Sequence, residues 1–444
     1  MQQNHWNPYA PAMYQEKLLT ERQISAEALT RQYLSRIEAY NPALNAVAEL
    51  NPEALPDARR LDASLSAHEL PLFGLPVLIK DNIDVAGLHT TAGSMALADH
   101  VAAADAPVVA NLRRNGAVIL GKTNMTEFAN YTTQGMPGGF SSLGGQVRHA
   151  FDAEADASGS STGSAVAVSA GLCAAAVGTD TSFSVVGCAT VHGLAGLKPP
   201  HGVLSGKGIV PIAHTLDSAS PLARTFDDAL LLYSAMRGTP FVPPEAADTE
   251  TLRIAVNCAN RDMVSKQQLA LYEDVFDVLR AVGTQFEEIN QPHTPHQKTI
   301  MNCEFRRDLE AYLCGTDAAR KTLPEIIDYY KANPACMPYG ITYLEAAVEI
   351  TDPLHDAGYR EALAQREHLR TQTLAELRDF DACVMTGPTN LMHFIGLPSL
   401  ALPLGMGNDG LPRGIILYGA DERRLYAAAK TIEKACRPVI PPHF

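Results

Sequence analysis

Short apolar runs, each closed by turn residues, alternate with stretches of helical periodicity along most of the chain. A chain patterned this way folds as α/β, with a central sheet between helical layers. LPVLIKDNI (75–83) reads as a buried strand with Lys80 at or just past its C-terminal end. GAVILGKT (116–123) reads as a strand running into a turn, and DACVMTGPT, PSLALPLG and RGIILYG as late core strands. Helical spacing covers 14–40, 107–115, 264–281, 355–378 and 421–436, with a further helix over 53–68. Ser25 is placed to cap the second N-terminal helix, with Glu27 in the first turn. The capping box is partial, because position 28 is Ala28. NPALNAV is expected to end that helix and lead into a strand. Residues 135–163 are rich in Gly and Ser and read as a long loop, followed by a tightly packed helix and strand in SAVAVSAGLCAAAVGTD.

The single proline-rich, acidic stretch, PFVPPEAADTE (240–250), reads as a surface connection, because TLRIAV after it can rejoin the same sheet. The 444 residues are therefore expected to form one domain. Its parts are N-terminal helices (1–70), a core (71–238), a variable region (239–380), and closing strands with a helix (381–444). Hydrophobic residues make up 46% and charged residues 19%, enough to bury a large core. A net charge of −14 argues against nucleic acid as a general partner. The eight cysteines are scattered without a C-x-x-C pair, which predicts reduced, mostly buried thiols and no zinc ribbon. The N-terminal residues show no secretory pattern and no run is long and apolar enough for a membrane span, so a cytoplasmic protein is expected.

Amide chemistry needs a nucleophile, a base that activates it, and donors for the oxyanion. Gly159-Ser160-Ser161-Thr162-Gly163 matches G-x-S-x-G, but the preceding FDAEADAS is polar and acidic. It is not the buried strand that a nucleophile elbow requires. Another set is present: Lys80 at an apolar strand end, Ser160 and Ser161 in SGSSTGS, and Ser184 after a strand in GTDTSFSVV. Burial at such a place drives a lysine's pKa toward neutrality, where it can serve as a base. GAVILGKT also fits the phosphate-loop pattern letter for letter. Its four intervening residues are strand-like and apolar, which is incompatible with amides facing a phosphate.

These segments resemble the amidase signature family, whose members carry a Ser–cis-Ser–Lys triad. GLPVLIKDNIDVAGLHTTAGS, VILGKTNMTEFAN, ASGSSTGSAVAVSAGL, GTDTSFSVVGCA and GLKPPHGVLSGKGIVPIAHTLDSASPLARTFDDA carry the resemblance, which is dense over 70–235. GLPSLALPLG and LPRGIILYG extend it to the end, while 240–380 falls in the family's variable region. The resemblance implies a large mixed central sheet covered by helices on both faces. It implies catalysis by Lys80, Ser160 and Ser184: Ser184 as nucleophile, Ser160 as the bridging serine after a cis peptide bond, and a neutral Lys80 as base. The backbone N–H groups of Thr181, Ser182, Phe183 and Ser184 would form the oxyanion hole. Ser161, Ser182, Asp180, Thr181, Asp217 and Arg224 are expected to act mainly as polar scaffold, and His393 as a structural or pocket-lining residue. One departure stands out: the family usually has Gly where this chain has Phe183. If that position needs φ > 0, phenylalanine is strained there, and its ring narrows the substrate pocket.

The implied activity is hydrolysis of a linear carboxamide, releasing ammonia or an amine, with no cofactor or metal. The loop GMPGGFSSLGGQVRHAFD is closest to that of bacterial peptide amidases, which makes a peptide or small-molecule amide the expected substrate. The alternatives are an amidotransferase subunit using glutamine for tRNA-dependent amidation, and an inactive amidase-fold binding protein. The sequence leaves a homodimer open.

Overall fold

The computed structural model describes residues 6–444. Thirteen strands are present among the described residues. They are β1 (Val47–Leu50), β2 (Pro76–Lys80), β3 (Val118–Thr123), β4 (Phe140–Ser141), β5 (Gly145–Gln146), β6 (Ala175–Asp180), β7 (Ala195–Lys198), β8 (Ser218–Ala223), β9 (Arg253–Asn257), β10 (Gln285–Ile289), β11 (Ala382–Met385), β12 (Ser399–Met406) and β13 (Pro412–Tyr418). Eleven of these form one sheet in the order β1-β3-β2-β6-β8-β7-β12-β13-β11-β9-β10, and β4 and β5 form a separate hairpin. The sheet is mixed: β3, β2 and β6 run parallel, as do β11, β9 and β10, while the strands between them pair antiparallel. Helices cover both faces, as expected.

The central strands are rich in apolar residues because both of their faces are covered, and their few polar residues, Lys80 and Lys122 among them, are buried with them. Every residue of β2, β3, β6 and β8 is buried. The strand after the proline-rich connection, β9, rejoins this sheet as expected.

Two local readings change. The second N-terminal helix, Ala26–Leu44, does not stop before the proline but carries Pro42 in its last turn. Asn45 closes it in the left-handed conformation, and the Asn41 side chain both donates to the Val47 carbonyl and accepts from its N–H. Pro42 has no N–H to give the Glu38 carbonyl, so the last turn lacks one helical bond, and the Asn45 N–H closes the helix on the Asn41 carbonyl. The Gly/Ser loop holds the small hairpin β4–β5. Ser25 caps its helix as expected, accepting from the Ala28 N–H.

GAVILGKT lies mostly in β3, with Lys122 buried. Its ammonium donates to the His89 carbonyl and Thr90 Oγ1 and faces Asp81. Gly121 serves strand packing: a Cβ there would meet the Glu49 carbonyl oxygen at 2.1 Å.

The cysteines are free, with Cys173, Cys188, Cys303 and Cys383 buried, whereas Cys314 is exposed. Among the described residues no helix is long and apolar enough to cross a membrane.

Candidate active site

Parallel strands β2 and β6 lie side by side as the third and fourth strands of the sheet, and both end at the same edge. Lys80 is the last residue of β2, and the chain leaving β6 makes a tight turn from Thr181 into the helix Val186–His192. The Gly/Ser loop meets this edge at Ser160 and Ser161, then enters the helix Thr162–Ser169. Three segments remote in sequence are thus brought together at one sheet edge.

Lys80 is wholly buried, and its Nζ donates to Ser160 Oγ at 2.7 Å and Thr179 Oγ1 at 2.8 Å. Burial pushes its pKa down to about 7, against the nearby negative groups that favour the charged form. Thr179 Oγ1 also accepts from Asn82 Nδ2 at 3.0 Å, so the lysine's partner is itself fixed. The Gly159–Ser160 peptide bond is cis.

The Ser161 N–H donates to the Ser184 carbonyl at 3.1 Å, which ties the serine loop to the turn. Ser161 Oγ donates to the Thr179 carbonyl and accepts from the Thr179 N–H. Its hydroxyl is therefore committed to scaffold. Replacing Ser161 by Ala is expected to cost about 1–3 kcal/mol of stability, read by denaturant unfolding, because the buried Thr179 N–H loses this acceptor and the Thr179 carbonyl is left with only the longer bond from Lys80 Nζ.

Ser184 is 6% exposed. Among the described residues, no acceptor within the protein takes the backbone N–H groups of Ser182, Phe183 or Ser184. Consecutive bare amides of this kind form a nest suited to a developing oxyanion. Asp180 holds the turn from behind: its Oδ2 accepts from the Val185 and Val186 N–H groups at 2.8 and 3.1 Å. Thr181 Oγ1 donates to Asp217, which also accepts from the Ile212 and Ala213 N–H groups. Burial raises the Asp217 pKa to about 6. Arg224 stands away from this edge, donating to the carbonyls of Val168, Cys173 and Ala174. Phe183 has φ +67°, the left-handed region where a Cβ is disfavoured.

Gly163 explains why the loop can lie so close. A Cβ there would sit 2.2 Å from the Asn124 carbonyl oxygen and 2.4 Å from that of Ala46. Neither backbone can retreat easily, so Gly163→Ala is expected to destabilise by about 3 kcal/mol in denaturant unfolding.

Sequence reasoning missed three contributors. Thr179 and Asn82 flank Lys80, and both stand inside segments already singled out. Gln297, from the helix His296–Cys314 in the variable region, donates to the Thr181 carbonyl at 3.2 Å and accepts from Ser182 Oγ. No motif marks it.

A cavity of about 810 Å³ opens beside the turn, with Ala129, Thr179, Thr181, Asp217, Asp84 and Tyr312 among its lining. It meets the site at Thr179 and Thr181, while Lys80, Ser160 and Ser184 are not on its wall. His214 and Asp308, also on its lining, cluster with Glu304 closely enough to share a metal ion. They instead satisfy one another: hydrogen bonds to Asp308 and Glu304 raise the His214 pKa to about 9, and Arg307 joins them.

Known proteins share this chain's sequence pattern and fold. The sequence profile of the Amidase family matches residues 28–386. A probable amidase of Arabidopsis thaliana is 31% identical, over 96% of this chain and 89% of its own length. A glutamyl-tRNA(Gln) amidotransferase subunit from Rhodopseudomonas palustris is 32% identical, over 94% and 95%. The crystal structure of the peptide amidase of Stenotrophomonas maltophilia superposes with a TM-score of 0.86 at 32% identity, covering 98% of this chain and 99% of that one. An amidase family protein of Bacillus anthracis gives a TM-score of 0.90 at 30% identity, covering 98% and 92%. With its family profile matched over most of its length and its fold shared end to end with solved amidases, this chain belongs to the amidase signature family and is an amide-hydrolysing enzyme.

Proposed function

We propose that the enzyme hydrolyses the C–N bond of a linear carboxamide through an acyl-enzyme on Ser184, and that C-terminal peptide amides are its first substrate class to test. The observation that carries this reading is the wholly buried Lys80, hydrogen-bonded to Ser160 at 2.7 Å with its pKa brought down to about 7. A lysine so tuned is neutral in a large share of molecules at physiological pH. Ser184 Oγ attacks the carbonyl carbon while its proton passes to Ser160, whose own proton passes to Lys80. The carbonyl oxygen becomes an oxyanion facing the bare N–H groups of the 181–184 turn. The C–N bond then breaks, and the proton returns from Lys80 through Ser160 to the leaving nitrogen, which departs as ammonia or an amine. Water then attacks the acyl carbon as its proton passes through Ser160 to Lys80; the bond from the acyl carbon to Ser184 Oγ breaks, that proton returns to Oγ, and the carboxylic acid leaves. No metal or cofactor enters any step.

The peptide-amide assignment rests on the loop 135–152 and on the likeness to a peptide amidase. The equal likeness to amidotransferase subunits favours a second reading, in which glutamine supplies the amide and partner subunits receive the ammonia. Ammonia release by the purified chain across peptide amides, glutamine, aryl amides and carbamates separates the two. Turnover of peptide amides above the others supports the first. Turnover of glutamine alone, dependent on added partner subunits, replaces it with the second.

A further inference from the structure

Behind the turn lies a group of charged and polar side chains that the proposed chemistry leaves unused. Asp180, Lys198 and His393 are all 0% exposed. Among the described residues, Asp180 Oδ1, Lys198 Nζ and both ring nitrogens of His393 have no hydrogen-bond partner. His393 Nδ1 faces Asp180 Oδ1 at 3.5 Å, too long for a strong bond. Burial lowers the His393 pKa to about 4, so the imidazole is neutral near pH 7. A buried histidine whose nitrogens bond to nothing is costly to keep.

What its ring does touch is Phe183. The two ring centroids are 4.3 Å apart with planes at 65°, an edge-to-face contact. Phe183 is the residue in the left-handed region, within the run of bare amides and next to Ser184. For a residue with a side chain that conformation is disfavoured, because the Cβ crowds the neighbouring carbonyl oxygen. It persists only where the surroundings over-determine it. Two neighbours do so. Gly187 backs the Phe183 main chain closely, since a Cβ there would sit 3.1 Å from Phe183 Cβ. His393, carried on the one-turn helix Leu391–Phe394, packs against the ring itself.

We infer that His393 is a positioning residue for the nucleophile turn, acting through the ring of Phe183 to hold the amides beside Ser184 in place. The inference rests on the proposal that Ser184 is the nucleophile. It touches neither substrate nor reacting atoms. It supplies from residue 393 the constraint that a glycine at position 183 would not need.

The test compares His393→Ala in the natural chain and in a Phe183→Gly background. The readouts are kcat and KM on an amide substrate, and the rate at which a fluorophosphonate labels Ser184, located by peptide mass spectrometry. Displacing reacting groups by about 1 Å can cost 10²-fold, so His393→Ala is expected to lower kcat and the labelling rate about 10- to 100-fold, leaving KM nearly unchanged. In the Phe183→Gly background the same substitution is expected to change either by less than about twofold, the limit for independent sites. His393→Phe, which keeps a ring against Phe183, is expected to retain most of the activity, and it stands in should His393→Ala fail to fold. Equal losses in both backgrounds, no loss in the natural chain, or a His393→Phe variant without activity though folded would overturn the inference. Failure of the natural chain to label at Ser184 would instead defeat the reading beneath it.

Discussion

Ser184→Ala should lower kcat/KM by about 10⁴- to 10⁶-fold, the range seen when a catalytic serine is removed from an enzyme that keeps its other parts. The protein should fold as before. The 184 carbonyl still accepts from the Ser161 N–H, and Asp180 still holds the two amides that follow. Residual catalysis should come from the bare amides and from substrate binding, which the alanine leaves intact. The neighbouring serines give the contrast. Ser161 has its hydroxyl bound to Thr179 on both sides, and Ser182 lends its own to Gln297, so substitutions there should act on stability or local order before they act on chemistry.

Lys80→Met should cost about 10³- to 10⁴-fold in kcat/KM, between the effect of losing a general base and that of losing the nucleophile. In the proposed mechanism the same residue sets the pH dependence. Its neutral amine would be the reactive form, so activity should rise with pH, with a single ionisation near 7, and level off above it. The sign for stability follows from the same shift. Folding lowers this pKa from 10.5 to about 7, so between those values the unfolded chain binds the extra proton. Stability should therefore rise with pH across that window on account of this group. In Lys80→Met that contribution should vanish, as denaturant unfolding at several pH values would report. An activity profile flat from pH 5 to 9 would count against Lys80 as the base.

Much of this architecture can be read from the sequence because the central strands are buried on both faces. PVLIK and VILGKT leave little choice but strand, and the lysine at the end of β2 stands out against an apolar run. The serine loop and the turn are equally visible, since small residues without apolar periodicity mark irregular backbone. What escapes is structure set by context. The edge strand Gln285–Ile289 reads QFEEI, half-exposed and charged, with no apolar alternation to reveal it. The helices over 296–332 sit in the variable region, and Gln297 on the first of them reaches the turn only because the fold delivers it. Pro42 reads as a breaker, yet the last turn of a helix tolerates it. Phe183 is the reverse case. The resemblance flags the position, and only the backbone angle shows that the strained conformation is kept with a phenylalanine in it.

The measurement that bears most directly on the proposed chemistry is the site of covalent capture. Treating the purified enzyme with a fluorophosphonate and mapping the adduct by tandem mass spectrometry should find one modified residue, Ser184. Labelling should slow below pH 7 and be lost in Ser184→Ala. An adduct on Ser160, Ser161 or Ser182 in its place, or none in an enzyme that releases ammonia, would contradict the account.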